Sequence, residues 1–161
     1  MKKHLAKMGL LAFALAGATV PSASAANSTT HAAAFHAYNA SQVADIDYVF
    51  NAVYNKASGV RPVIAPINMV PNYGFTPPSN VKFWVDGIVG SGVASLTWTI
   101  YAYNPDGSFV ASGSGTKTGS GLFDVPTFLT NGLVNVDDYI SLYAELPANT
   151  STRFFGVLQM N

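Results

Sequence analysis

The chain has 161 residues, of which 49% are hydrophobic and only 10% are charged, and it contains no cysteine. Disulfides are therefore excluded as a source of stability, which must come from packing and sheet hydrogen bonds or from self-association. Nucleic acid and anionic membranes are also poor partners, because both require clustered Lys and Arg and this sequence has no such cluster.

Residues 1–25 have the pattern of a secretory signal peptide. A basic start is followed by an apolar run at residues 10–18 and by a small-residue cleavage site at residues 23–25. The apolar run is far shorter than the roughly 20 residues that span a bilayer, and no later stretch is long enough. The sequence thus predicts a secreted or periplasmic protein of bacterial type.

Residues 26–161 have a length that fits one domain. They carry five Lys and Arg against eight Asp and Glu, a formal net charge near −3. Residues 26–37 are mostly small or polar, so we expect a flexible N-terminal arm there. The folded domain is predicted at residues 38–161.

Residues 38–55 fit two patterns. Val43, Ile46 and Phe50 have helical spacing, whereas Ile46, Tyr48 and Phe50 alternate as in a strand. The density of β-branched and aromatic residues favours the strand, although the helix remains open.

Two prolines interrupt the next apolar segment, residues 60–70. Pro62 and Pro66 cannot donate to a ladder, which predicts a strand at a sheet edge. A Pro-rich loop is expected at residues 71–80, and a strand at residues 81–85.

The clearest β-hairpin covers residues 95–113. Leu96, Trp98 and Ile100 alternate with polar or tyrosine positions, which predicts a strand with one buried face. Residues 104–107, with the sequence NPDG, supply the turn, because Pro presets φ and Gly accepts a positive φ.

Further strands are predicted in the C-terminal part of the chain. Their ranges are 122–128, 139–146 and 153–160, with a tight turn at 130–132, while residues 112–121 fit either a polar edge strand or a loop. About eight short strands separated by turn signals indicate an all-β fold. The predicted architecture is a single antiparallel β-sandwich, jelly-roll or immunoglobulin-like.

Residues 35–67 resemble a group of small exported bacterial all-β proteins that have no assigned function. The segments HAYNAS, DIDYVF and RPVIAPI carry the resemblance. Members of that group have cysteines near Phe35, Thr99 and Ala144 and at Ala65, and this chain has none of them. The resemblance implies an exported all-β domain and transfers no catalytic residue.

Few residues could support catalysis. After the predicted leader, the only histidines are His31 and His36, in or beside the expected arm, and no GxSxG context presents a serine. Asp45 and Asp47 alternate onto one side of the predicted strand, but charged residues are usually solvated. No catalytic residue and no cofactor are predicted.

Two other sets of carboxylates carry oxygen atoms of the kind that bind metal ions. Asp137 and Asp138 are adjacent and diverge, and Asp106 lies in the hairpin turn. A calcium site would need such oxygen ligands at a regular spacing that is absent here, and zinc would need more His or Cys. No metal site is predicted.

Outward-facing aromatic residues are the most informative feature. The alternation of three strands places Trp84, Tyr101, Tyr103, Tyr139 and Tyr143 on the polar phase. Flat rings with a polar tip bind sugar rings or partner surfaces. The rings act together only if their strands share one sheet, and the alternatives that loops cover them or that they serve strand propensity stay open.

The leading hypothesis is an exported, non-catalytic module that binds a glycan or an envelope surface through these rings. The first alternative is a structural or self-assembling cell-surface protein, and the second is a small hydrolase. The sequence does not specify the oligomeric state.

Overall fold

The computed structural model describes residues 28–68, 81–130, 134–135, 137–148 and 151–160. In chain order the strands are β1 (Ser28–His31), β2 (His36–Ala37), β3 (Ile46–Val49), β4 (Ala52–Asn55), β5 (Arg61–Ile67), β6 (Lys82–Val89), β7 (Ser95–Tyr103), β8 (Phe109–Thr118), β9 (Gly121–Phe128), β10 (Tyr139–Leu146) and β11 (Arg153–Met160). Two short 3-10 helices span Ala32–Ala34 and Ala40–Asp45. None of the helices in the described part of the chain is long and apolar enough to cross a membrane.

Three predicted features fall outside these ranges. They are the signal peptide at residues 1–25, the Pro-rich loop at residues 71–80, and residues 131–132 of the predicted tight turn.

The strands form two antiparallel sheets, which confirms the predicted β-sandwich. The first sheet has the order β3-β4-β11-β6-β9, and the second has the order β2-β5-β10-β7-β8. In the first sheet, β1 also pairs with β11, next to the stretch of β11 that pairs with β4. Because β11 lies inside its sheet and β10 inside the other, the C-terminal third of the chain supplies a central strand to each layer.

Trp98 of β7 joins the two sheets in the core, as its predicted inward phase requires. Its side chain is 1% exposed, and its ring stacks on Phe123 of β9 with centroids 5.2 Å apart. Phe154 of β11 meets the indole edge-on at 6.0 Å. The indole Nε1 donates a hydrogen bond of 2.9 Å to the hydroxyl of Thr127. Since β9 and β11 belong to the first sheet, these contacts hold one layer against the other.

Close packing around the indole also explains a glycine in β8. Gly115 lies opposite Trp98 in the β7–β8 pair, and a Cβ there would lie 2.5 Å from the indole ring. Any larger residue at position 115 would therefore displace the core tryptophan.

The predicted flexible arm at residues 26–37 is wrong from Ser28 onward. β1 pairs with residues 156–159 of β11, and β2 pairs with β5. Phe35 between them is fully buried and stacks on Phe154 at 5.5 Å. Sheet pairing uses the backbone N–H and C=O groups that every residue except proline carries, so small polar side chains do not prevent it. The folded domain thus includes residues 28–37 and does not begin at residue 38.

Residues 38–55 form two strands in place of the single predicted one. The 3-10 helix Ala40–Asp45 precedes β3, and β3 and β4 pair as a hairpin. At the tip, Phe50 has a φ of 55° and is fully exposed. This reversal, together with β1 and β2, raises the strand number in the described residues to eleven, compared with the predicted eight or so.

The prolines of β5 lie on the side of the strand that faces away from β10. The amide of Tyr38 donates to the Pro62 carbonyl at 3.0 Å, so Pro62 presents its backbone to the β2 side. Pro66 has the same phase. Neither proline therefore interrupts the ladder with β10. The predicted edge position is nevertheless wrong, because the two-residue strand β2 pairs with the other side of β5 and is itself the edge.

The central hairpin is confirmed, and its second strand resolves an ambiguity. The amide of Gly107 donates to the Asn104 carbonyl at 2.8 Å, and Gly107 has a φ of 85°. β8 then runs to Thr118 at the edge of the second sheet. Most of residues 112–121 is therefore the polar edge strand and not a loop.

Candidate functional site: a tyrosine face on the second sheet

Four of the five predicted aromatic residues lie on the outer face of the second sheet. Tyr101 and Tyr103 are on β7, and Tyr139 and Tyr143 are on the neighbouring β10. In the register, Tyr139 lies opposite Tyr103. The four side chains therefore share one surface. We call this surface, together with the neighbouring side chain of Tyr38, the tyrosine face.

Tyr38 follows β2 and completes this group. Its ring packs edge-on against Tyr143 with centroids 5.5 Å apart, and Tyr101 and Tyr103 lie 6.2 Å apart. Between these two pairs is a depression of about 430 Å³, whose floor also includes Ile64 and Ser141. We call it the tyrosine depression; its wall is aromatic and its base offers a hydroxyl.

Trp84, the fifth predicted residue, does not belong to this face. It lies on β6 and therefore in the first sheet, where its partners in register are Leu158 and Pro126. The indole is half-buried, and Lys82 Nζ lies 4.2 Å from its ring centroid. The strand alternation was correct for Trp84, but alternation does not tell which sheet a strand joins, so the condition that all five rings share one sheet is not met.

A polar area adjoins the tyrosines along the same strands. On β7 and β8, the hydroxyls of Thr97 and Thr116 are 3.1 Å apart, and those of Thr99 and Ser114 are 2.9 Å apart. These two pairs, which we call the hydroxyl rows, lie directly opposite each other in the register. The outer face of the second sheet thus changes from aromatic to hydroxylic along β7.

Glu145 is the only charged side chain among the described outward positions of β7, β8 and β10. The hydroxyl of Tyr143 donates to its Oε1 at 3.2 Å. Partial burial raises the pKa of the Tyr143 hydroxyl, and the hydrogen bond to Glu145 raises it further. Tyr143 therefore remains a neutral hydrogen-bond donor at physiological pH.

The histidine and aspartates considered for catalysis lie in separate interactions. His36 Nδ1 is 3.3 Å from the Ala34 carbonyl. Asp45 pairs with Arg61, and Asp47 pairs with Lys56 at 3.5 Å. The two carboxylates thus have cationic partners, and the hydrogen bonds of the described residues do not link His36 to either one.

The other aspartates considered as ligands serve local turns. Asp106 accepts from the Ser108 amide at 2.8 Å and from its hydroxyl at 2.7 Å, and these bonds lower the pKa of Asp106. Asp138 is buried and accepts from the Asn135 amide at 2.7 Å, whereas Asp137 is exposed. Within the described ranges, no three His, Cys, Asp or Glu side chains are grouped as metal ligands.

A pair of carboxyl groups that the sequence analysis did not single out lies on the first sheet. Asp86 of β6 and Asp124 of β9 are opposite each other in the register. Burial raises the pKa of Asp86 to about 6, with further contributions from its hydrogen bond to Asp124 and from the charge of Asp124. Both line a shallow depression with Leu122 and Phe155. Only the pairing of β6 with β9 reveals this cluster.

Sequence reasoning also missed Tyr38 and the hydroxyl rows. Tyr38 lies outside any regular alternation, so nothing in the sequence placed its ring on Tyr143. Thr97 and Thr99 share the phase of Tyr101 and Tyr103, and that signal was available. Their pairing with β8 follows directly from the predicted hairpin once its register is known.

No protein-family profile and no curated protein matches this sequence. One similar solved structure is that of arabinose-bound MgGH51 α-L-arabinofuranosidase, with 10% sequence identity and a TM-score of 0.34. The similarity covers 82% of this chain and 26% of that one, so the chain spans about a quarter of the length of that enzyme.

Proposed function

We propose that this chain is an exported, non-catalytic module that binds carbohydrate on the tyrosine face. The observation that carries the proposal is the tyrosine depression, in which Tyr38, Tyr101, Tyr103 and Tyr143 surround Ser141 and Ile64. A sugar ring presents apolar C–H groups on its faces and hydroxyls at its rim. Aromatic rings match the first kind of surface, and phenolic and serine hydroxyls match the second.

The available hydrogen-bonding groups support this ligand class. Among the described residues, the hydroxyls of Tyr101 and Tyr103 have no protein hydrogen-bond partner, whereas that of Tyr143 is held by Glu145. A phenol both donates and accepts, so two such groups beside a serine offer the mixed set that sugar hydroxyls need. The rings of Tyr101 and Tyr103 are half-buried, so their side chains have little conformational freedom left to lose on binding.

The test is retention of the purified chain on insoluble polysaccharides and on a glycan panel. The wild type should be retained on at least one neutral glycan, and the double variant Tyr101→Ala/Tyr143→Ala should lose at least tenfold in affinity, as expected when central aromatic contacts are removed. The Tm of the double variant should fall by only a few degrees, because neither ring is part of the buried hydrophobic core.

Trp84→Ala is the matched control, since it removes a larger half-buried ring from the other sheet. It should bind like the wild type. A folded wild type that binds nothing across the panel, or a Trp84→Ala variant that loses binding as strongly as the tyrosine variant, contradicts the proposal.

A further inference from the structure

We propose that the ligand is a neutral polysaccharide, bound as an extended chain that runs along β7 from the tyrosine depression to the hydroxyl rows. This inference rests on the proposed function and specifies its substrate class. It makes Thr97, Thr99, Ser114 and Thr116 part of the binding surface.

The first step is that the binding surface continues beyond the tyrosines. A second depression, of about 270 Å³, adjoins the tyrosine depression and shares Tyr143 with it. Its lining includes Thr97, Thr99 and Glu145. Tyr103 and Thr97 are six residues apart on one strand, which corresponds to about 20 Å at the usual rise per residue. That length exceeds a single sugar ring and accommodates several linked ones.

The second step concerns the chemistry of the hydroxyl rows. Each hydroxyl has one donor and two acceptor positions, and the cross-strand pairs Thr97–Thr116 and Thr99–Ser114 use one donor per pair. Each pair therefore keeps one donor and further acceptors for a ligand. Pairing also fixes the direction of the hydroxyls before a ligand arrives, which reduces the entropy lost on binding.

The third step is the charge of the surface. Among the described outward positions of β7, β8 and β10, Glu145 supplies the only charge, and it already accepts a hydrogen bond from Tyr143. An anionic chain would meet this carboxylate with no cation on the described outward positions, because Lys117 of β8 lies on the inward phase opposite buried Leu96. A polycationic chain would find one carboxylate along the whole length. A neutral chain of linked sugars matches both the hydroxyl rows and the near absence of charge.

The experiment measures affinity by calorimetry for neutral oligosaccharides from disaccharide to hexasaccharide, taken from the cello-, xylo- and manno- series. Affinity should rise with chain length for the preferred series. Thr97→Val/Thr99→Val keeps side-chain shape and β-branching but removes two hydroxyls. It should reduce the ratio of hexasaccharide to disaccharide affinity by about tenfold, the loss expected from two hydrogen bonds.

Thr29→Val is the matched control, because Thr29 is exposed on β1 in the first sheet. It should leave the ratio unchanged. Equal affinity for all chain lengths, or an unchanged ratio in the double valine variant, overturns this inference while leaving the proposed function intact. Tighter binding of oligogalacturonate or chitosan oligomers than of every neutral series also overturns it.

Two other outcomes would be recognised with the same purified proteins. If the wild type binds no glycan and sediments as a dimer that Tyr101→Ala/Tyr143→Ala converts to a monomer, the face binds a second copy of the chain. If it binds no glycan and remains a monomer, the tyrosine face has no carbohydrate function. Both results overturn the inference and the proposed function together.

Discussion

The two outer faces of this sandwich follow the same strand alternation, but they present different kinds of side chain. The second sheet presents tyrosines and hydroxyls with one carboxylate. The first presents aliphatic and aromatic side chains around the carboxyl pair Asp86 and Asp124. The difference shows that a polar phase in a strand predicts exposure but not use, because use depends on which strands become neighbours.

On the first sheet, the exposed groups mostly stabilise one another. Lys82 Nζ lies 4.2 Å from the Trp84 centroid and 5.6 Å from that of Phe128, so one cation contacts two rings. Leu122, next to the carboxyl pair, is 72% exposed. The described residues of this face form no rows of paired hydroxyls like those on β7 and β8, and among them the buried Trp84 indole Nε1 has no hydrogen-bond partner.

The largest expected effect is at Trp98, whose indole lies beneath both faces. Trp98→Ala should destabilise the domain by about 3–5 kcal/mol, because it removes a large buried ring and leaves a cavity between the sheets. Urea denaturation of the two proteins measures this. A loss below about 1 kcal/mol would mean that the sheets are held together elsewhere.

A finer comparison uses the two tryptophans with the same conservative change. Trp98→Phe should cost more than 1 kcal/mol, because it removes ring contacts and leaves the Thr127 hydroxyl without its indole donor. Trp84→Phe should cost clearly less, since the N–H it removes has no partner among the described residues. Equal losses of unfolding free energy in urea would show that the two indoles have equivalent environments, contrary to the structure.

The carboxyl pair makes the stability of the first sheet depend on pH in the acidic range. The pKa of Asp86 is about 6 in the folded chain, above the ordinary aspartate value of 3.8. The folded state therefore favours the protonated form, and its contribution to stability is fully present below pH 3.8 and lost as pH rises through about 6.

Asp86→Asn keeps the side-chain shape and removes this titration. Its Tm should exceed that of the wild type by a few degrees at pH 7, and the difference should shrink towards pH 3. Asp47→Asn is the control with the opposite sign. The hydrogen bond from the Tyr48 amide lowers the pKa of Asp47, and the charge of Lys56 lowers it to a smaller extent. The Asp47→Asn variant should therefore be no more stable than the wild type at pH 7. A Tm difference for Asp86→Asn that does not change with pH would contradict this account.

Much of the sandwich followed from local patterns in the sequence. The hairpin of β7 and β8 and the strands β6 and β10 combine alternation with turn signals, and both are local properties. β1 and β2 have no such signal, because what holds them is backbone pairing with β11 and β5 and the burial of Phe35. These are contacts with residues far along the chain, which a window of sequence does not contain.

The sequence likewise predicted some features of the candidate site and not others. Tyr101, Tyr103, Tyr139 and Tyr143 were predicted to face outward from the period of their own strands. Their common surface, the exclusion of Trp84 and the contribution of Tyr38 all depend on strand order, which is set by long-range packing. Alternation therefore predicted which rings are outside, and only the fold shows which of them meet.

The most direct test of the central claim is to map ligand binding onto the two sheets. Backbone amide chemical shifts of the ¹⁵N-labelled chain would be recorded during titration with the neutral oligosaccharide that the panel identifies. The account predicts saturable shifts concentrated on β7, β8 and β10, including Tyr101, Thr99 and Tyr143, with β6 and β9 nearly unchanged. Shifts concentrated around Trp84 and Asp86, or no saturable shift on β7, would contradict it.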